Sequence, residues 1–129
     1  MISISDDEFK KLVSRSIDAL HKQYLDNMKN VAIVIENWPT DDQKKRLELC
    51  DGQILYGLYE GIPLTKRGGN YSMVLPDKIT IFSGPIKSNS SSLRALEINV
   101  RTTVWHEVAH HFGLDHTQIH KIEHDLNIS

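Results

Sequence analysis

Six of the chain's seven histidines lie between His106 and His124, so side chains able to bind a metal or move a proton at neutral pH are gathered near one end of the sequence. Within that stretch, His106-Glu107-Val108-Ala109-His110-His111-Phe112-Gly113-Leu114-Asp115-His116 has the spacing H-E-x-x-H-x-x-G-x-x-H. On a helix, His106 and His110 leave the same face about one turn apart and can grip one ion. Glu107, beside them, reaches a water on that ion without being a ligand. Gly113 falls where the helix has to stop, because a residue with positive φ turns the chain back. That reversal brings His116 round as a third ligand and leaves the fourth position open to water, the layout of a catalytic zinc site.

Three neutral imidazoles leave the ion its full positive charge, which lowers the pKa of a bound water to about 7. Glu107 then accepts a proton as that water attacks a peptide carbonyl and hands it to the leaving amine. These residues describe a mononuclear zinc hydrolase. A second donor for the developing oxyanion is not identified by spacing; Tyr56, Tyr59 and Tyr71 are candidates, and each also reads as a core tyrosine. His116 has a competitor as well. His116, His120 and His124 recur every four residues, which also describes a solvated stripe on a last helix, and His120 supplies the third ligand if the chain turns less sharply. The Gly113 spacing favours His116. His111 points away from the metal face and reads as structural or as a support for the ligands.

These residues need a rigid element beneath them. Apolar positions predict a helix from about Ser92 to Phe112, with Leu93, Leu96, Val100, Val104 and Val108 on one face and Ile98, Trp105, Ala109 and Phe112 on another. Near its end this helix is apolar around most of its circumference, except where His106, Glu107 and His110 project. A site on such a helix is held firmly. Asp115 and Gln118 can cap a closing helix from about His116 to Asp125. Upstream, Ser5 and Glu8 form a capping box ahead of a helix from about Asp6 to Leu25, and Thr40 with Gln43 caps a shorter one reaching about Cys50. His21, alone on the first helix, reads as solvated or at the core edge. Val31–Ile35 is apolar and β-branched and predicts a buried strand. Lys78–Phe82 predicts a second strand, closed by Gly84-Pro85. Ile54–Tyr59 reads as a strand or a tight helical turn, Thr65–Asn70 as a loop whose Gly68-Gly69 is a plain turn, and Tyr71–Leu75 as a further short strand.

The bulk properties narrow the function class. The chain's 129 residues fit a single domain, 1–129, with a modest core. Its net charge of −2 and the lack of a basic cluster beyond Lys44-Lys45-Arg46 give no reason to expect nucleic acid or an anionic membrane as partner. No apolar run approaches spanning length and the N-terminus has no apolar signal core, so no membrane association is expected. Cys50 is the sole cysteine, which excludes a disulfide framework and a cysteine zinc site and fits a reducing cytoplasm.

In four stretches the sequence resembles the minimal zincin-like metallopeptidases, a family of small zinc-protease domains. These are Val34-Ile-Glu-Asn-Trp-Pro39, Gly57-Leu-Tyr-Glu-Gly-Ile-Pro-Leu64, Leu75-Pro-Asp-Lys-Ile-Thr-Ile-Phe82 and Val104-Trp-His-Glu-Val-Ala-His-His-Phe-Gly-Leu114, the last being the most specific. The resemblance implies an α+β fold in which a small mixed sheet packs on an active-site helix, with N- and C-terminal helices. It carries over to His106, His110 and His116 as zinc ligands and to Glu107 as general base. Larger proteases with the same extended motif place a methionine turn after the third ligand; here Met1, Met28 and Met73 all precede the motif, and thirteen residues follow His116.

Two functions follow as expectations. The first is a zinc-dependent peptidase acting on short or unfolded peptides, with an edge strand such as Lys78–Phe82 holding the substrate by strand addition and, given the short lower half, a possible protein partner. The second is a non-catalytic or partner-dependent metal-binding module on the same scaffold, with His120 completing a closed site of four protein ligands.

Overall fold

The computed structural model describes residues 3–20, 22–26, 28, 31–46, 55–61, 77–114 and 117–118. In chain order they form α1 (Asp6–Asp18), α2 (Lys22–Leu25), β1 (Val31–Glu36), α3 (Asp41–Arg46), β2 (Gly57–Glu60), β3 (Asp77–Phe82), α4 (Ser83–Ser88) and α5 (Leu93–His111). The strands make one sheet in the order β1-β3-β2, with β1 parallel and β2 antiparallel to β3. Helices packed on a small mixed sheet give the α+β zincin-like architecture that the sequence predicts.

β3 is the central strand. Ile79, Thr80, Ile81 and Phe82 are all buried, in a strand flanked by a neighbour on each side. This corrects two expectations. Lys78–Phe82 is not an edge strand, since it bonds to β1 on one side and β2 on the other. β1 is half-buried along its whole length rather than buried, because it lies at the side of the sheet among the described residues. Apolar content alone did not distinguish the two; position in the sheet decides burial. The stretch read as strand or turn is a strand, β2, and it forms the opposite side of the described sheet.

α5 lies against this sheet and fills the core. Leu96, Val100, Val104 and Val108 pack with Ile79, Ile81 and Ile86, and with Phe9, Leu12 and Val13 from α1. Burial of each such side chain contributes about 1.5–3 kcal/mol. The apolar face starts one turn later than predicted: Leu93 is 53% exposed and Leu96 is the first buried position. Ser92 caps the helix, its Oγ accepting the Ala95 N–H at 3.1 Å. The second apolar face, Trp105 and Ala109, packs with Leu20, Tyr24 and Leu114, and Tyr24 meets Trp105 and Phe112 edge-on at 5.0 and 5.4 Å.

The first helix is shorter than its periodicity suggests. α1 ends at Asp18 with Ala19 as its C-cap, and a separate turn, α2, follows. Beyond the break, Leu20 and Tyr24 pack against the Trp105 face and also against the cluster that holds Phe9, Leu12 and Val13. The Ser5 hydroxyl accepts the Glu8 N–H at 3.1 Å. Thr40 and Gln43 close a reciprocal capping box: the Thr40 N–H donates to Gln43 Oε1 at 2.8 Å, and the Gln43 N–H to Thr40 Oγ1 at 3.1 Å. Gly84-Pro85 ends β3 by opening α4, which the sequence reading missed; proline is tolerated there because a first-turn N–H needs no helical partner. Gly84 also sits under Trp38, where a Cβ would fall 2.3 Å from Trp38 Cε2. His21, the 65–70 loop and the 71–75 strand lie outside the described residues, as does the closing helix except for Thr117 and Gln118, which are helical. Among the described residues no helix is long and apolar enough to cross a membrane.

Candidate active site

The last turns of α5 carry the candidate chemistry. His106, Glu107 and His110 are half-buried in a stretch where Trp105, Val108, Ala109 and His111 are buried, so the polar notch predicted from the sequence exists. The helix ends as its glycine requires. Gly113 has φ 76°, its N–H donates to the His110 carbonyl at 3.0 Å, and the Leu114 N–H reaches back to the Ala109 carbonyl at 3.1 Å. This pair of bonds is the Schellman arrangement, and the packing of Leu114 with Ala109 completes it. A side chain at position 113 would be strained in that conformation.

Glu107 faces β2. A Cβ on Gly57 would fall 2.9 Å from Glu107 Cγ, 3.2 Å from its Oε2 and 2.8 Å from Thr103 Cγ2, so only glycine lets the helix come this close. The sheet register then aims a backbone donor at the carboxylate. The Phe82 N–H bonds to the Tyr56 carbonyl at 2.8 Å, and Tyr59 pairs with Ile79. Bonded and non-bonded pairs alternate in an antiparallel ladder, so Gly57 and Tyr59 turn their amides away from β3. The Tyr59 N–H donates to the Glu107 carboxylate. Burial nevertheless dominates and pushes the Glu107 carboxyl up to about 7 from its ordinary 4.5, the Tyr59 bond pulling the other way.

Behind this contact lies a buried polar cluster. Asp77 opens β3 and is 2% exposed; His111, on the last turn of α5, is fully buried. Asp77 Oδ2 accepts the Tyr59 hydroxyl at 2.8 Å and lies 2.8 Å from His111 Nδ1. A carboxylate has no hydrogen to give, so His111 carries its proton on Nδ1. The rings of Tyr59 and His111 meet edge-on at 5.9 Å.

The structure thus brings His106, Glu107 and His110 onto one helix end, while His116 and its competitor His120 lie outside the described residues. Among the described residues no group of three His, Cys, Asp or Glu side chains is arranged to hold an ion. His111, read as structural or as a support for the ligands, is fully buried with its Nδ1 on Asp77. Of the tyrosines weighed as oxyanion donors, Tyr59 gives its hydroxyl to Asp77, Tyr56 packs against the core, and Tyr71 is outside the described residues. Sequence reasoning missed Gly57 and Asp77. A glycine set between Tyr56 and Leu58 was the available signal for the first; nothing local marked the second.

A sequence model described as zincin-like metallopeptidase matches residues 28–126, which include β1, β2, β3 and the whole of α5. The chain belongs to this family. A search of curated proteins gives no significant match. The family implies a bound metal, and the donor chemistry of this zincin-like site fits one. Two imidazoles one turn apart stay half-exposed on an otherwise buried helix end, and a carboxyl withdrawn from water stands beside them.

Proposed function

We propose that this chain is a zinc-dependent peptidase in which His106, His110 and His116 hold the ion and Glu107 moves the proton. The observation that carries the reading is the place of Glu107, a carboxyl held by the Tyr59 N–H beside two half-buried imidazoles. Zinc, when bound, supplies a fixed positive charge that lowers the pKa of a water and polarises a carbonyl oxygen. Glu107 is ionised next to a cation, because opposite charge offsets its desolvation. It takes a proton from the oxygen of the attacking water and delivers it to the nitrogen of the departing amine. Substrate lies extended along β2, not along Lys78–Phe82, because β2 is the strand that faces Glu107 and turns backbone groups away from β3. Short or unfolded peptides are the substrates that can adopt this path.

The test is zinc content together with peptide cleavage by the wild type and Glu107→Ala. Stoichiometric zinc in both and cleavage only by the wild type is the expected result; equal cleavage by both sinks the mechanism. X-ray absorption showing four protein ligands and no open position would instead make this a structural zinc site.

A further inference from the structure

Tyr59 faces two ways. Its backbone N–H lies in the plane of the sheet and meets Glu107, while its phenol crosses to Asp77, which also takes His111 from the end of α5. Glu107 and His111 are four residues apart, one turn of the same helix. The contacts therefore close a ring: Asp77 to Tyr59, Tyr59 to Glu107, one helical turn to His111, and back to Asp77. The ladder to β3 fixes the register of β2, and apolar packing holds it near α5 without directional contacts. A shared acceptor 2.8 Å from both donors fixes direction as well as distance, and it does so at the cost of burying polar groups.

We propose that Asp77 is a positioning residue for Glu107, acting through Tyr59: by anchoring the phenol of Tyr59 and the imidazole of His111 on one carboxylate oxygen, it keeps the Tyr59 amide on the Glu107 carboxylate. The inference rests on the peptidase reading only for its effect on turnover. The ring itself belongs to the fold.

Amide hydrogen exchange tests it on the metal-free chain, with Tyr59→Phe, which removes one hydroxyl, and Asp77→Asn, which keeps an acceptor oxygen. In Tyr59→Phe the amide of residue 59 exchanges about tenfold faster, the loss expected for one hydrogen bond to a charged group, while the amides of Ile79 and Ile81 keep their protection. Asp77→Asn gives a smaller change at the same amide. Glu107→Ala also deprotects amide 59, which identifies Glu107 as its acceptor. In the zinc-loaded protein Tyr59→Phe lowers kcat about tenfold and leaves KM unchanged, as for an interaction used only during the reaction. An amide 59 as protected in Tyr59→Phe as in the wild type overturns the proposal, and so does a uniform loss of protection across β3. A wild type that binds zinc and cleaves nothing would sink the peptidase reading, and the exchange pattern would still decide this one.

Discussion

Gly57 lies directly against Glu107: a Cβ on the strand residue would stand 2.9 Å from the glutamate's Cγ and 2.8 Å from Thr103 Cγ2. The approach of helix to strand is set by a missing side chain. Gly57→Ala must push α5 or Glu107 aside, so thermal unfolding should show a loss of about 1–3 kcal/mol. Cleavage should fall by more than that loss of folded protein explains, because Glu107 moves with the helix. A variant with wild-type stability and rate would show that the contact is not tight.

The buried carboxyl of Glu107 makes stability depend on pH in a defined sense. Its folded pKa of about 7 lies above the ordinary 4.5, so below 4.5 both states are protonated and folding carries no penalty. As pH rises from 4.5 towards 7 the unfolded chain ionises first, and the metal-free protein loses stability; above 7 the loss is complete. Glu107→Gln removes the titration. Urea unfolding at pH 4.5, 6 and 8 should show the variant gaining on the wild type with rising pH, by about 2–3 kcal/mol at most. A constant difference between the two proteins would contradict this.

Asp77→Ala deprives a half-buried phenol and a buried imidazole of a common acceptor. Chemical denaturation should register a loss of about 3 kcal/mol or more. Asp77→Asn, which retains an oxygen in place, should lose less than half of that.

The third ligand is separable by titration with zinc. His116→Ala should weaken binding on the order of 100-fold, and His120→Ala by less than about threefold, if Gly113 sets the reversal. The opposite order would assign the position to His120 and a wider turn.

The helix end was legible in the sequence because its determinants are local. His106, Glu107, His110 and the Gly113 stop are fixed by spacing along one element, and Ser92 marks where that element begins. What surrounds the helix was less legible. Burial of Ile79–Phe82 and partial exposure of Val31–Ile35 depend on strand order, which apolar content does not encode. Gly57 and Asp77 matter because of what lies across from them, Glu107 and His111, at separations of fifty and thirty-four positions. The break after Asp18 was hidden for a related reason: the periodic stripe continues through Leu20 and Tyr24, which pack on the core on both sides of the interruption.

The two tryptophans occupy opposite environments. Trp38 is 55% exposed over Gly84, whereas Trp105 is 1% exposed, adjacent to His106, with its indole N–H buried and without a hydrogen-bond partner among the described residues. The chain therefore carries two optical channels. Acrylamide silences the emission of Trp38, and the blue-shifted remainder comes from the helix that bears the histidines. Intrinsic fluorescence can thus follow the active-site helix alone, with no label added.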